Sequence, residues 1–241
     1  MANWNDTDQR QGFGSVPRAG DAVARQETFD AGLRKHMLSI YNYMTSGVLL
    51  TGVVALLAAQ SGLAVSFASG PLMWIVALAP LGFVLAMSFG LNKMSKGTLQ
   101  ILFWSFAIVM GLSMSTIFLR FTGESIAATF FATAGAFAGL SLYGYTTKKN
   151  LQGFGTFLGM GGIGLLIAMV INIFLQSNTM AMAISFIGVL IFAGLTAYDT
   201  QRLKMEYQYL RGTEFAGKAI IMGALSLYLD FINMFMFLLQ F

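Results

Sequence analysis

Two aspartates stand where a carboxylate is costly. Asp230, in LSLYLDFINMF, is preceded by eleven uncharged residues back to Lys218 and followed by eleven more to the C-terminus. At the centre of a helix in lipid an aspartate costs roughly 2.5–3.5 kcal/mol. Asp199, in LTAYDTQRLK, closes an uncharged run that begins at Asn150. If the two meet in a dry site they cannot both ionise comfortably, so they would titrate as one coupled pair and share a proton. Such a pair would join two helices by a strong hydrogen bond whose strength follows its proton occupancy. Its hard oxygens would also suit Ca²⁺, as a sparse and therefore weak site of the kind that favours permeation over storage.

Asp230 has polar company. Gly223, Ser226, Asp230 and Asn233 fall at intervals of 3, 4 and 3, which places them on one stripe of a helix. Ser226 and Asn233 are thus the supporting polar residues, and the opposite face is Leu, Phe and Met. Plainer readings exist for both acids. Asp199 could pair with Arg202 at i,i+3 on the membrane rim, and Asp230 could be a neutral acid bonded to Ser226 or a backbone carbonyl.

The elements that carry these residues follow from composition. The chain has 241 residues, of which 56% are apolar and 10% charged, against about 25% charged in soluble domains. No Asp, Glu, Lys or Arg occurs from Met37 to Asn92 or from Asn150 to Tyr198. A span needs about 20 apolar residues, so each run holds two helices. The expected fold is all-α and polytopic, with seven spans at 37–60, 72–92, 98–119, 125–146, 151–175, 179–201 and 219–240, following a polar segment over 1–36. SGLAVSFASGP (61–71) is the first turn, and Pro80 lies inside the second span, where a kink is expected. MANWNDTDQRQGFGSVPRAG reads as a disordered tail, and Ala24 to His36 as a helical lead-in at the membrane surface.

Positive charge gives the orientation. With the tail inside, every one of the 14 Lys and Arg residues except Arg120 falls on the cytoplasmic side, Arg202, Lys204, Arg211 and Lys218 in the last connection among them. The N-terminus is expected in the cytoplasm and the C-terminus outside.

Several chemistries drop out. There are no cysteines and one histidine, so thiolate chemistry, disulfides and multi-histidine metal sites are excluded. His36 follows Arg34 and Lys35 and reads as an interfacial cation. The net charge of +4 reflects topology, not a nucleic-acid partner. GMGGIG (159–164) has the letters of a dinucleotide-binding loop, but no strand precedes it and it lies in an apolar span. Packing explains it, as it does the pairs Gly135/Gly139 and Gly155/Gly159, which are expected to let helices approach closely.

AYDTQ, a short charged stretch, and then LSLYLDFINMF together resemble the C-terminal signature of the Bax inhibitor-1 family, in particular its proteobacterial inner-membrane members. SLYGYTTKKNLQGFG (141–155) is similar to their fourth-to-fifth connection, and the likeness extends over about residues 30–241. The resemblance implies seven helices with the last at the centre, and a pH-sensitive Ca²⁺ leak governed by a hydrogen-bonded aspartate pair, here Asp199 and Asp230. Some members latch that pair with an arginine on the second helix. In this chain Lys93 is the nearest cation at that place, and Arg202 lies beside Asp199. No resident cofactor or catalytic residue is implied; the expected partners are lipid, protons and transient Ca²⁺. A competing role is that of a membrane regulator bound to a membrane-anchored ATP-dependent protease or a cell-death partner. An intramembrane aspartyl protease is not supported, because Leu227-Tyr228-Leu229 stands where a Gly-x-Gly would precede the acid. A proton-coupled transporter lacks the expected inverted repeat.

Overall fold

The computed structural model describes residues 19–68 and 72–241. Most of the expected disordered tail lies outside the described residues. The chain divides into two compact units, residues 1–35 and 36–241. In the first, the described residues are the opening turns of a helix that continues the chain into the second.

Every regular element among the described residues is helical: α1 (Ala19–Gln60), α2 (Leu63–Phe67), α3 (Leu72–Gly90), α4 (Lys96–Met114) with a 3-10 turn at Ser115–Leu119, α5 (Gly123–Thr146), α6 (Gln152–Leu175), α7 (Asn178–Leu210) and α8 (Ala216–Leu238). All except α2 are long and apolar enough to cross a membrane, which makes seven spans. Helices are the natural outcome here, since a backbone in lipid must satisfy its own hydrogen bonds. Their outer faces carry large apolar side chains, such as Phe89 at 83% and Phe174 at 82% exposure. Such exposure would be a liability in water and is ordinary against acyl chains. This is a multi-pass membrane protein.

Local capping punctuates the spans. Ser95 accepts a hydrogen bond from the Thr98 amide at the start of α4, Thr122 does the same for Ser125 ahead of α5, and Ser177 for Met180 ahead of α7. Each satisfies one of the amides that a helix start leaves free. The first turn, expected as a plain connection, contains the short helix α2 after Gly62. Pro80 lies within α3 and is buried.

The last helix is the most enclosed. Two-thirds of its span is buried (67%), against 11–39% in the other six. Its buried residues include Tyr228, Asp230 and Phe231. It packs on α7, α5 and α4. On the α5 side Phe231 meets Phe130 and Phe137 edge-on at 5.6 Å. On the α1/α4 side Tyr228 lies against Phe106 at 5.1 Å. The same ring's hydroxyl is 2.7 Å from Thr51 Oγ1, and Thr51 donates to the Ala107 carbonyl at 2.8 Å. Because the threonine proton is committed to that carbonyl, the tyrosine must be the donor to Thr51.

Two expectations need correction. The sixth span does not stop near residue 201: α7 runs on to Leu210, so the link to α8 is only residues 211–215, turning through Gly212 at φ +78°. Glycine suits that left-handed backbone because it has no Cβ to clash. The expected close-packing glycines are only partly so. Gly155 sits on the Tyr198 ring, but a Cβ at Gly135, Gly139 or Gly159 would meet nothing within 4 Å, because those helix faces point away from the bundle. The tightest helix contact in this region is instead Gly144 of α5 on the Ala197 carbonyl of α7. GMGGIG lies inside α6, with Gly161 facing Ile191.

Candidate functional site

The extension of α7 creates the site. Asp199, Arg202 and Glu206 are spaced 3 and 4 apart on one continuous helix, so they share the face turned toward α8. Arg202 Nη1 lies 3.3 Å from Asp199 Oδ1, and Arg202 Nε lies 3.5 Å from Glu206 Oε1. From α8, Ser226 completes the cluster. Its hydroxyl donates to Asp199 Oδ2 and accepts from Arg202 Nη2 at 3.1 Å. A hydroxyl has one proton and two lone pairs, so Ser226 is well matched to a carboxylate on one side and a guanidinium on the other. Asp199 is only 6% exposed. The Asp199–Arg202 pair foreseen for the membrane rim is therefore present, with the acid buried, the guanidinium half-buried and both tied to the next helix through Ser226.

Asp230 follows Ser226 by four residues, one turn further along the same face of α8. It is 5% exposed, and its Oδ2 has no hydrogen-bond partner. The charges that act on it are those of Asp199 and Arg202. Asp199 thus pairs with the guanidinium directly, while Asp230 feels both charges from α8 without bonding to either. The hydrogen bond that the family resemblance implies between the two acids is replaced here by one from Ser226 to Asp199.

The other expected site residues fall elsewhere. Asn233 gives its amide to the Leu229 carbonyl of its own helix at 2.8 Å. Lys93 is exposed in the turn after α3, and its backbone amide bonds Gly90. The cation at the pair is Arg202, which latches α7 to α8 and leaves α3 free. His36, read as an interfacial cation, is 6% exposed with its ring centroid 5.1 Å from that of Tyr207. The reason is again the α7 extension, which brings Tyr207 over it.

Sequence reasoning missed two supports. Gln201 clamps the α5–α6 connection, donating to the Lys149 carbonyl at 2.7 Å and accepting from the Leu151 amide at 2.9 Å. Glu206 falls in the stretch expected as the last connection, and its i,i+4 spacing from Arg202 is the signal for the helix that runs through it. An open cavity of about 500 Å³ adjoins the cluster between α3, α7 and α8, with Ser88, Arg202, Glu206 and Ser226 in its wall. Among the described residues no three His, Cys, Asp or Glu side chains gather as a metal cage.

Comparison with known proteins agrees with this architecture. The chain is 48% identical over 226 residues to an uncharacterized protein of Caulobacter vibrioides, covering 88% of this chain and 89% of that one. It is 44% identical over 221 residues to one of Rickettsia prowazekii, covering 91% and 93%. It is also 44% identical over 214 residues to the inner membrane protein YbhL of Escherichia coli, covering 87% and 92%. Residues 33–241 match the family described as inhibitor of apoptosis-promoting Bax1, a stretch that contains all seven apolar spans apart from the opening turns of the first. With its seven helices, buried last span and YD and LYLD aspartates, this chain belongs to the Bax inhibitor-1 family.

Proposed function

We propose that the protein is a non-enzymatic, pH-sensitive cation leak of the bacterial inner membrane, passing Ca²⁺ and gated by proton occupancy at Asp199 and Asp230. Its N-terminus faces the cytoplasm, as the distribution of basic residues suggests. The observation that carries this reading is Asp230: a carboxylate oxygen buried in the most enclosed helix, without a partner, one turn from the serine that ties the α7 ion pair to α8. Unpartnered buried polar groups are rare, and those that persist usually have a role.

The seam offers a simple switch. Arg202 is the one guanidinium set against both acids. Adding or removing a proton changes the charge it must balance, and with it the strength of the α7–α8 contact. In a low-dielectric setting that change is worth far more than in water. When the seam loosens, the freed carboxylates offer hard oxygens to a passing divalent ion, too few to hold it.

The test is Ca²⁺ entry into liposomes carrying the purified protein, across about pH 5 to 8, beside an Asp230→Asn variant. The parent is expected to pass Ca²⁺ with a clear pH dependence, and the variant to show a flat or displaced profile. A folded parent that passes no more Ca²⁺ than empty liposomes would end this reading. A regulator acting on a membrane-anchored protease or stress partner would then lead.

A further inference from the structure

We infer that the cavity between α3, α7 and α8 is a binding groove for one anionic phospholipid, whose acyl chain lies along α8 and whose phosphate is held by Lys218 and Lys96. The shape is the first argument. The wall follows α8 from Ala219 to Leu229, about 15 Å of helix at 1.5 Å per residue, so the space is elongated along the membrane-spanning direction. Its volume of about 500 Å³ lies within the range of roughly 300–1,000 Å³ typical of ligand sites. Val84 of α3 and Leu91 just after it, Leu203 and Leu210 of α7, and Met222 and Leu225 of α8 make the wall mostly apolar. It lies among spanning helices and is open on one side, so the molecules most abundant at its entrance are lipids.

Charge at one end is the second argument. Leu91 and Phe215 both line the groove. Lys218 bridges them: its ammonium donates to the Leu91 carbonyl at 3.3 Å and lies 5.3 Å from the centre of the Phe215 ring. Lys96, the first residue of α4, rests its side chain against Gly217, next to Lys218 in the chain. Neither ammonium is ion-paired to a described acid, since the ion pairs here belong to Arg202. Two free cations at the mouth of an apolar slot match a phosphodiester above an acyl chain. Arg202 is not part of that headgroup site, because its three nitrogens already face Asp199, Ser226 and Glu206. The deep part of the groove instead passes Ser226, so a bound chain would keep water from the α7–α8 latch. The site itself does not depend on whether the aspartates gate a leak.

Native mass spectrometry of the full chain in mild detergent tests this, with phosphatidylglycerol and phosphatidylcholine of matched chain length, and glycerol phosphate as a headgroup without a tail. One phosphatidylglycerol is expected to remain bound in preference to phosphatidylcholine, with glycerol phosphate unable to displace it. Lys96→Gln and Lys218→Gln should each lower retention about fivefold. Lys149→Gln, an exposed cation outside the groove, should leave it unchanged. Ser88→Trp, placed on an exposed position in the groove wall, should exclude the chain whatever the headgroup. Equal retention of both lipids, equal loss in Lys149→Gln, displacement by glycerol phosphate, or a parent that holds no lipid would each overturn the assignment. If Ser88→Trp did not elute as a folded species, the lysine variants and the lipid comparison decide alone.

Discussion

The two sides of α8 are built from different chemistry. Toward α7 the contacts are ionisable: Asp199, Arg202, Ser226 and the unpartnered Asp230. Toward α1 and α4 they are neutral and closely packed: the Tyr228 hydroxyl on Thr51, Thr51 on the Ala107 carbonyl, and the tyrosine ring among Phe103 and Phe106. The ionisable groups are thus confined to one seam, so the proposed change in proton occupancy would act there and not on the other. The most enclosed helix is thus packed through neutral groups on one flank and through charged ones on the opposite one.

Variants can test how separate the two seams are. The largest effect is expected from Arg202→Met, which strands Asp199 as a buried acid without its cation. With Asp199 buried but the Arg202 side chain 38% exposed, the cost is expected at about 2–4 kcal/mol, below that of a fully buried pair, read as earlier unfolding in a mixed-micelle denaturation, together with an altered pH profile of any flux. On the neutral side, Gly111→Ala is expected to cost about 1–3 kcal/mol. A Cβ there would fall 2.7 Å from the Thr51 carbonyl oxygen and 2.8 Å from Val54 Cβ, and the backbone partner cannot yield. The pH profile of that variant should keep the parent's shape. Tyr228→Phe removes one hydrogen bond while Thr51 keeps its bond to Ala107, so a loss of about 1 kcal/mol is expected, again with no change in pH profile. The smallest effect belongs to Asn233→Leu. Its amide serves only a carbonyl of its own helix, and its loss should be within about 0.5 kcal/mol. A pH profile displaced by Tyr228→Phe as strongly as by Arg202→Met would show that the two flanks act as one.

Much of this was legible beforehand, for physical reasons that differ from residue to residue. The seven spans follow from uncharged runs too long for any soluble core, and Asp230 stands out because nothing near it in sequence can neutralise it. Arg202 was harder. Hydropathy falls after Tyr198, and a stretch containing Arg202, Lys204 and Glu206 reads as a polar loop when it is a helix that turns Arg202 toward α8. That misplaced boundary hid both the latch and the burial of His36. The Tyr228–Thr51 contact was beyond reach, since hydroxyls in spans commonly bond a carbonyl of their own helix, as Thr133, Ser185 and Thr196 do here. Sequence does not distinguish those hydroxyls from ones that reach across to another helix, as those of Thr51 and Ser226 do.

The α7–α8 hairpin is fastened at both ends. At one end residues 211–215 form a short tether, and at the other Ser185 Oγ lies 2.8 Å from the Gln240 side-chain amide, joining the first turns of α7 to the residues just past α8. Such a pair cannot unzip from either terminus. Like a bow strung at both tips, it is held at its ends, and the polar ties across its middle are those of Ser226 to Asp199 and Arg202.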